Sequence, residues 1–148
     1  MKIRRHVAAA GAVALLGTGA VVIPAVAASA HSTTHTLRFT SVTKKSAMFT
    51  KRTGGQQDTD VNKAGKIVGF DMLYFALKSK NSSAVKVTLD TKGGFLYGTF
   101  TITFSTGKVT NGKVTGGTGK FKGATGRIRA KLLDSAGTHT AVTITYHT

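Results

Sequence analysis

The chain beyond residue 30 predicts an all-β domain, an antiparallel meander of seven or eight strands closed as a barrel or folded as a sandwich. Three observations predict it. No stretch there sustains the apolar spacing that an amphipathic helix needs. Thr, Val, Gly, Phe and Ile dominate, the residue types that suit a pleated, half-buried surface, and turn residues recur at short intervals. Residues 95–104 alternate cleanly, with Leu96, Gly98, Phe100, Ile102 and Phe104 on one face and Tyr97, Thr99, Thr101 and Thr103 on the other.

Residues 1–30 read differently, as a cleavable helical signal peptide. Lys2, Arg4 and Arg5 form a charged start, an apolar stretch runs from Val7 to Val26, and Pro24 interrupts it near its end. Ala28-Ser29-Ala30 then supplies small residues where a signal peptidase reads them, so cleavage after Ala30 leaves a single domain over 31–148. Ala25-Val26-Ala27 is an alternative cleavage site. A membrane anchor fits less well: a span needs about 20 apolar residues, and Gly11, Gly17, Thr18 and Gly19 dilute this run. The residues that should flank a twin-arginine pair are missing, which favours the general secretory route and a secreted, extracellular protein.

Along the mature chain, residues 37–42 make a first strand. Residues 51–66 are polar, carry Gly54-Gly55 and Asp58-Thr59-Asp60, and read as a long loop. Residues 67–78 are apolar on both faces, which predicts a strand in the middle of the sheet. Val85, Val87 and Leu89 alternate with Lys86, Thr88 and Asp90 before the turn Thr91-Lys92-Gly93-Gly94. Ser105-Thr106-Gly107 leads into a strand over 108–115. Beyond a glycine-rich corner, Ile128, Ala130 and Leu132 alternate with Arg127, Arg129 and Lys131, and Asp134-Ser135-Ala136-Gly137 closes a last hairpin to 141–146. Sheet closure would remove the exposed edges that invite aggregation.

Composition sets limits on function. Removing Lys2, Arg4 and Arg5 from the 21 Lys and Arg leaves 18 against five Asp, a formal charge of +13 on the mature domain. An exported basic protein meets anionic envelope polymers or phospholipid surfaces rather than nucleic acid, and charge also keeps it soluble. The lysines are scattered, with no run of four, as on solvated strand faces. There is no cysteine, so no disulfide holds this domain although its compartment permits one.

The most specific text is Val114-Thr115-Gly116-Gly117-Thr118-Gly119-Lys120-Phe121-Lys122-Gly123-Ala124-Thr125-Gly126. Its glycines suit a tight corner of a small barrel, where Phe121 can plug the end. It fails the phosphate-loop pattern, because Phe121 follows Gly119-Lys120, and it fails the dinucleotide fingerprint, because Lys122 stands where the third glycine belongs. It resembles the GGTGxFxxAxG motif of the allene oxide cyclase and dirigent barrels, and Gly94-Phe95-Leu96-Tyr97-Gly98-Thr99-Phe100 fits the same order. The resemblance spans residues 35–147 and is strongest over 94–130. It implies an eight-stranded antiparallel closed barrel with an apolar lumen, packed as a homotrimer through its outer walls, that guides cyclisation or coupling of a small hydrophobic ligand. Dirigent proteins commonly read F-R-x-A-R-G here, whereas this chain has Lys122 and Thr125 in the arginine positions. No catalytic arginine carries over.

With no Glu, the acid–base inventory is Asp58, Asp60, Asp71, Asp90, Asp134 and the histidines. Asp90 and Asp134 sit at turns, where a carboxylate caps backbone N–H groups. Asp58 and Asp60 fall in the polar loop. Asp71 shares its strand face with Ile67, Gly69, Leu73, Phe75 and Leu77. A carboxyl among apolar groups needs a partner and its pKa tends to rise, which makes Asp71 the candidate acid–base residue. Its structural alternative is an ion pair with a strand lysine or arginine. Tyr74, Tyr97 and Phe75 are the candidate ligand-binding residues, the tyrosines through their hydroxyls. An amine and imidazole at a cleaved His31 could hold copper, but His-Ser-Thr-Thr-His lacks an apolar anchor, and no metal site is assigned. Outside the cell nucleotide cofactors are scarce, so no cofactor is expected. A catalyst of this kind would be a cofactor-free cyclase or isomerase; the rival reading is a non-enzymatic exported protein that adheres to anionic envelope polymers.

Overall fold

The computed structural model describes residues 32–148. The signal peptide read over residues 1–30, and His31, lie outside the described residues. The elements are β1 (Thr34–Met48), β2 (Thr53–Val61), β3 (Ile67–Ser79), β4 (Ser82–Thr91), β5 (Gly94–Thr103), β6 (Val109–Gly117), a 3-10 turn (Gly119–Phe121), β7 (Thr125–Leu132) and β8 (His139–His147). Each strand pairs antiparallel with the next, and β1 pairs with β8 from Thr34 opposite His147 to Val42 opposite His139. The eight strands form a closed barrel in sequence order. Closure leaves no unpaired edge, which suits a basic domain with no disulfide to lock it.

One expectation is corrected and a second is refined. The polar stretch 51–66 is a strand for most of its length: residues 40–48 of β1 (with a register shift between Thr43 and Lys45) and 67–76 of β3 (with one between Asp60 and Val61 of β2) pair with β2 on either side. Lys51-Arg52 belong to the bend before it, and residues 62–66 form the turn after it, where the Asn62 side chain accepts the N–H groups of Ala64 and Lys66, each at 3.0 Å. The polar character of the strand comes from turning Gln56 and Asp58 toward the barrel interior rather than from solvent exposure. The refinement concerns β3, which lies mid-sheet between β2 and β4 as expected. It is paired on both sides, but its second apolar face is the outer wall, where Val68, Phe70, Met72 and Tyr74 are exposed. In a closed barrel only the inward face meets the core.

The core lies at one end. Leu89, Leu96, Val114, Phe121, Ala124, Ile128, Ile144 and Tyr146 are buried together, and Phe121 packs edge-on against Tyr146 at 5.3 Å between ring centres. The glycine-rich corner folds over the β4–β5 hairpin: Thr118 N–H donates to Phe95 O (2.8 Å), Lys120 N–H to Gly93 O (2.9 Å), and Phe95 N–H to Thr118 Oγ1 (3.0 Å). At Gly119 (φ +57°) any β-carbon would collide with the Gly93 carbonyl oxygen, so only glycine permits this clamp. The 3-10 turn that follows drives Phe121 into the barrel end, where it is completely buried. That end is plugged.

Candidate functional site

Inside the barrel a cavity of about 320 Å³ extends toward the opposite end, where Thr106 and the connection over residues 134–137 rim it. The plug residues Leu96, Phe121 and Tyr146 are not among its walls. Most of the wall is apolar, with Phe39, Leu73, Phe75, Val87, Phe100 and Val142 among the contributors. Period-2 alternation explains it, since every inward position of β3 through β5 that lines the cavity is apolar except Asp71 and Ser83.

The exception is one polar side built by β1, β2 and β3. Asp58 stands directly opposite Asp71 in the β2–β3 pairing, a like-charge juxtaposition that destabilises a sheet unless other groups compensate. The Ser41 hydroxyl lies 2.7 Å from Asp58 Oδ2 and 3.0 Å from Asp71 Oδ2. Having one proton, it donates to one carboxylate at a time. Gln56 Nε2 donates to Asp58 Oδ2 (2.8 Å) and to Thr43 Oγ1 (3.0 Å). Behind this pair sits Asp60, opposite Gly69, with 0% of its surface exposed. A side chain at Gly69 would meet Asp90 O at 2.6 Å and Asp60 Oδ2 at 3.3 Å, so the glycine makes room for the carboxyl. With all three carboxyls ionised, Asp58 Oδ1, Asp71 Oδ1 and both Asp60 oxygens would be buried without a hydrogen-bond partner, as Ser83 Oγ is; a proton on Asp60 lets it pair with Asp71.

Burial, the charge of Asp71, a hydrogen bond to Asp71 and the charge of Asp58 together push the Asp60 carboxyl up to about 9. Asp60 is therefore protonated at neutral pH. Burial and the neighbouring Asp58 charge raise Asp71 to about 6, although hydrogen bonds from Ser41 and Asp60 pull it down. A carboxyl poised that near neutrality, in an apolar well, can take or give a proton at a bound molecule. No ion pair forms with Asp71: among the described residues the single ion pair joins His139 Nδ1 to Asp134 Oδ2 at 2.8 Å. Among the described residues no group of three or more His, Cys, Asp or Glu is placed to hold a metal ion.

Of the residues named from sequence, Asp71 and Phe75 both line the cavity. Tyr74 and Tyr97 do not. They lie on the outer wall, 44% and 37% exposed, because Tyr74 is three residues from inward Asp71 and Tyr97 one from inward Leu96 and Gly98. Asp90 lies within β4 and faces outward rather than capping a turn, whereas Asp134 does cap one, accepting from Thr138 N–H and Thr138 Oγ1 at 2.9 Å each. That geometry holds the Asp134 carboxyl down at about 2, chiefly through the Thr138 N–H. Sequence reasoning missed Ser41, Gln56, Asp58, Asp60 and Ser83. The signal that could have found Asp58 and Asp60 is their spacing of two, with Gln56, in a stretch too long for a structureless connection.

No family model and no curated protein matches this chain. Solved structures do. A pterocarpan synthase dirigent protein aligns over 92% of this chain and 98% of its own, at 17% identity and a TM-score of 0.69. A nonspecific heme-binding cyclase that catalyses a [4 + 2] cycloaddition in neoabyssomicin biosynthesis aligns over 82% of this chain and 70% of its own (10% identity, TM-score 0.65). Pyocyanin demethylase aligns over 76% and 99% respectively (16% identity, TM-score 0.61). The described chain therefore has the fold of the dirigent and cyclase barrels, the barrel type that its glycine-rich corner resembles.

Proposed function

We propose that this protein is a secreted barrel that binds a small hydrophobic molecule in its lumen and guides its cyclisation or isomerisation without a cofactor. The observation that carries the reading is the enclosed apolar well with Asp71 and Asp58 in its wall. Such a well selects a compact conformer of a flexible molecule and excludes water from it, and the carboxyl supplies proton transfer or a fixed dipole where charge develops. The fold shared with a dirigent protein and a cycloaddition catalyst is in keeping with this chemistry. Catalytic roles fall to Asp71 as acid–base and to Asp58 and Ser41 as the groups that set its proton.

A second reading has its own support. Arg127, Arg129 and Lys131 share the outer face of β7, with Lys113 opposite Arg127 on β6, and this basic wall could hold the barrel to anionic envelope polymers. The exposed apolar wall of β3, with Phe95 and Tyr97 of β5, is the surface through which a homotrimer would pack. Native mass spectrometry of the protein purified from its own culture medium tests the first reading. The expected result is a chain beginning near His31 that retains one small molecule per barrel. A ligand-free barrel that takes up no neutral hydrophobic probe, but leaves envelope preparations steeply with added salt, would instead establish the adhesive reading.

A further inference from the structure

Among the described residues, four of the chain's five carboxylates lie inside the barrel, with Asp90 on the outer face, and the lysines and arginines lie outside the cavity. Of its five carboxylates, Asp58, Asp71 and Asp134 line the cavity and Asp60 lies directly behind the first two. No lysine, arginine or histidine of the described residues lines it, although the domain is strongly basic. Around the carboxyl cluster the lumen is also poor in hydrogen-bond donors, and all the donors that line it are uncharged. Asp58, Asp60 and Asp71 present six carboxyl oxygens, and the neighbouring side chains that donate to them are Ser41, with one proton, Gln56, with one N–H, and protonated Asp60, toward Asp71. Asp58 Oδ1 faces this donor-poor space unpaired, at 3% residue exposure. Ser83 Oγ, from a different strand and outside the carboxyl cluster, lines the same cavity and is also unpaired.

Buried acceptors without donors are costly, and an ionised carboxylate without a counter-charge more so. The missing element is a cationic donor, and none of the described residues provides one there. From this we infer that the natural ligand carries it: a small hydrophobic molecule with a positively charged nitrogen, a protonated amine or ring N–H, whose hydrogens bridge Asp58 and Asp71 while its carbon body fills the apolar well. This inference rests on the lumen-binding reading and names the class of ligand. The same electrostatics rejects carboxylates, because an anion would enter a low-dielectric well already holding like charge.

Three probes of one shape test it: 1-naphthylmethylamine, 1-naphthylmethanol and 1-naphthoate, titrated into the purified protein near neutral pH with enough salt to screen the basic outer wall. Binding is followed by saturation-transfer NMR and calorimetry. The amine should bind at least about tenfold more tightly than the alcohol, the worth of one charged hydrogen bond, and the carboxylate more weakly than the alcohol. In the double variant Asp58→Asn, Asp71→Asn the preference for the amine over the alcohol should collapse. Carboxylate binding as tight as that of the amine, or an amine preference that survives both substitutions, would overturn the inference and leave lumen binding intact. Failure of all three probes to bind would overturn the lumen-binding reading itself.

Discussion

Replacing Asp60 with asparagine should stabilise the barrel, and more so as pH rises. The carboxyl is completely buried, and burial together with Asp71 raises it from 3.8 to about 9. Between those values the folded state holds a proton that the unfolded chain has released. The stability associated with this group is therefore complete below pH 3.8 and is lost as pH climbs through 9. Each pH unit above 3.8 costs about 1.4 kcal/mol, which reaches at most about 4 kcal/mol near pH 7. The Asp60→Asn side chain would keep the shape of the protonated acid and a donor toward Asp71 while abolishing the titration. Urea unfolding of both proteins at about pH 4.5 and about pH 7 reads the effect, with the variant ahead by at most about 1 kcal/mol at the lower pH and by up to about 4 kcal/mol at the higher. A variant less stable than the parent near neutrality, with the deficit shrinking on acidification, would mean that Asp60 is ionised and paired in the fold. The protonation pattern of the whole carboxyl cluster would then be refuted.

Two further substitutions probe the two ends of the barrel. Phe121→Ala removes the buried plug and its edge contact with Tyr146, and should cost about 3–5 kcal/mol in unfolding free energy, read from the urea midpoint. Asp134→Ala releases the Thr138 amide and hydroxyl and the His139 ring at the mouth; amide exchange at Thr138 should accelerate while Leu89 and Ile144 in the core stay protected. Because the Asp134 carboxyl is held down at about 2, its contribution is present above 3.8 and disappears as pH falls through 2. Acid should loosen the hairpin of the parent protein to match the variant.

Strands are legible in the sequence where one face is apolar and the other polar. β5 and β7 follow directly from their alternation, and the corner residues 116–126 point to a small barrel plugged by Phe121. β2 is not legible because its inward residues are themselves polar: Gln56, Asp58 and Asp60 erase the contrast on which a strand reading depends, and Gly54-Gly55 adds a false turn signal. Asp71 stands out for the opposite reason, as one carboxyl in an apolar row. Its partners lie 30 residues away at Ser41 and across the sheet at Asp58, distances in sequence that pairing register alone brings together. Tyr74 and Tyr97 carry suitable chemistry, but parity counted from Asp71 and Leu96 puts both on the outside.

The plug at the glycine-rich corner makes the lumen a blind well. A molecule can leave only by the mouth through which it entered, past the Asp134 hairpin. Long polymers cannot thread such a vessel, so a saccharide or peptide chain could present no more than one end to Asp71. Under the proposed reaction, reactant and product would exchange through one door, and a product that rings closed into a shape too broad for that rim would hold the barrel shut against the next molecule. Turnover here would depend on how far the hairpin yields as much as on the carboxyl at the bottom.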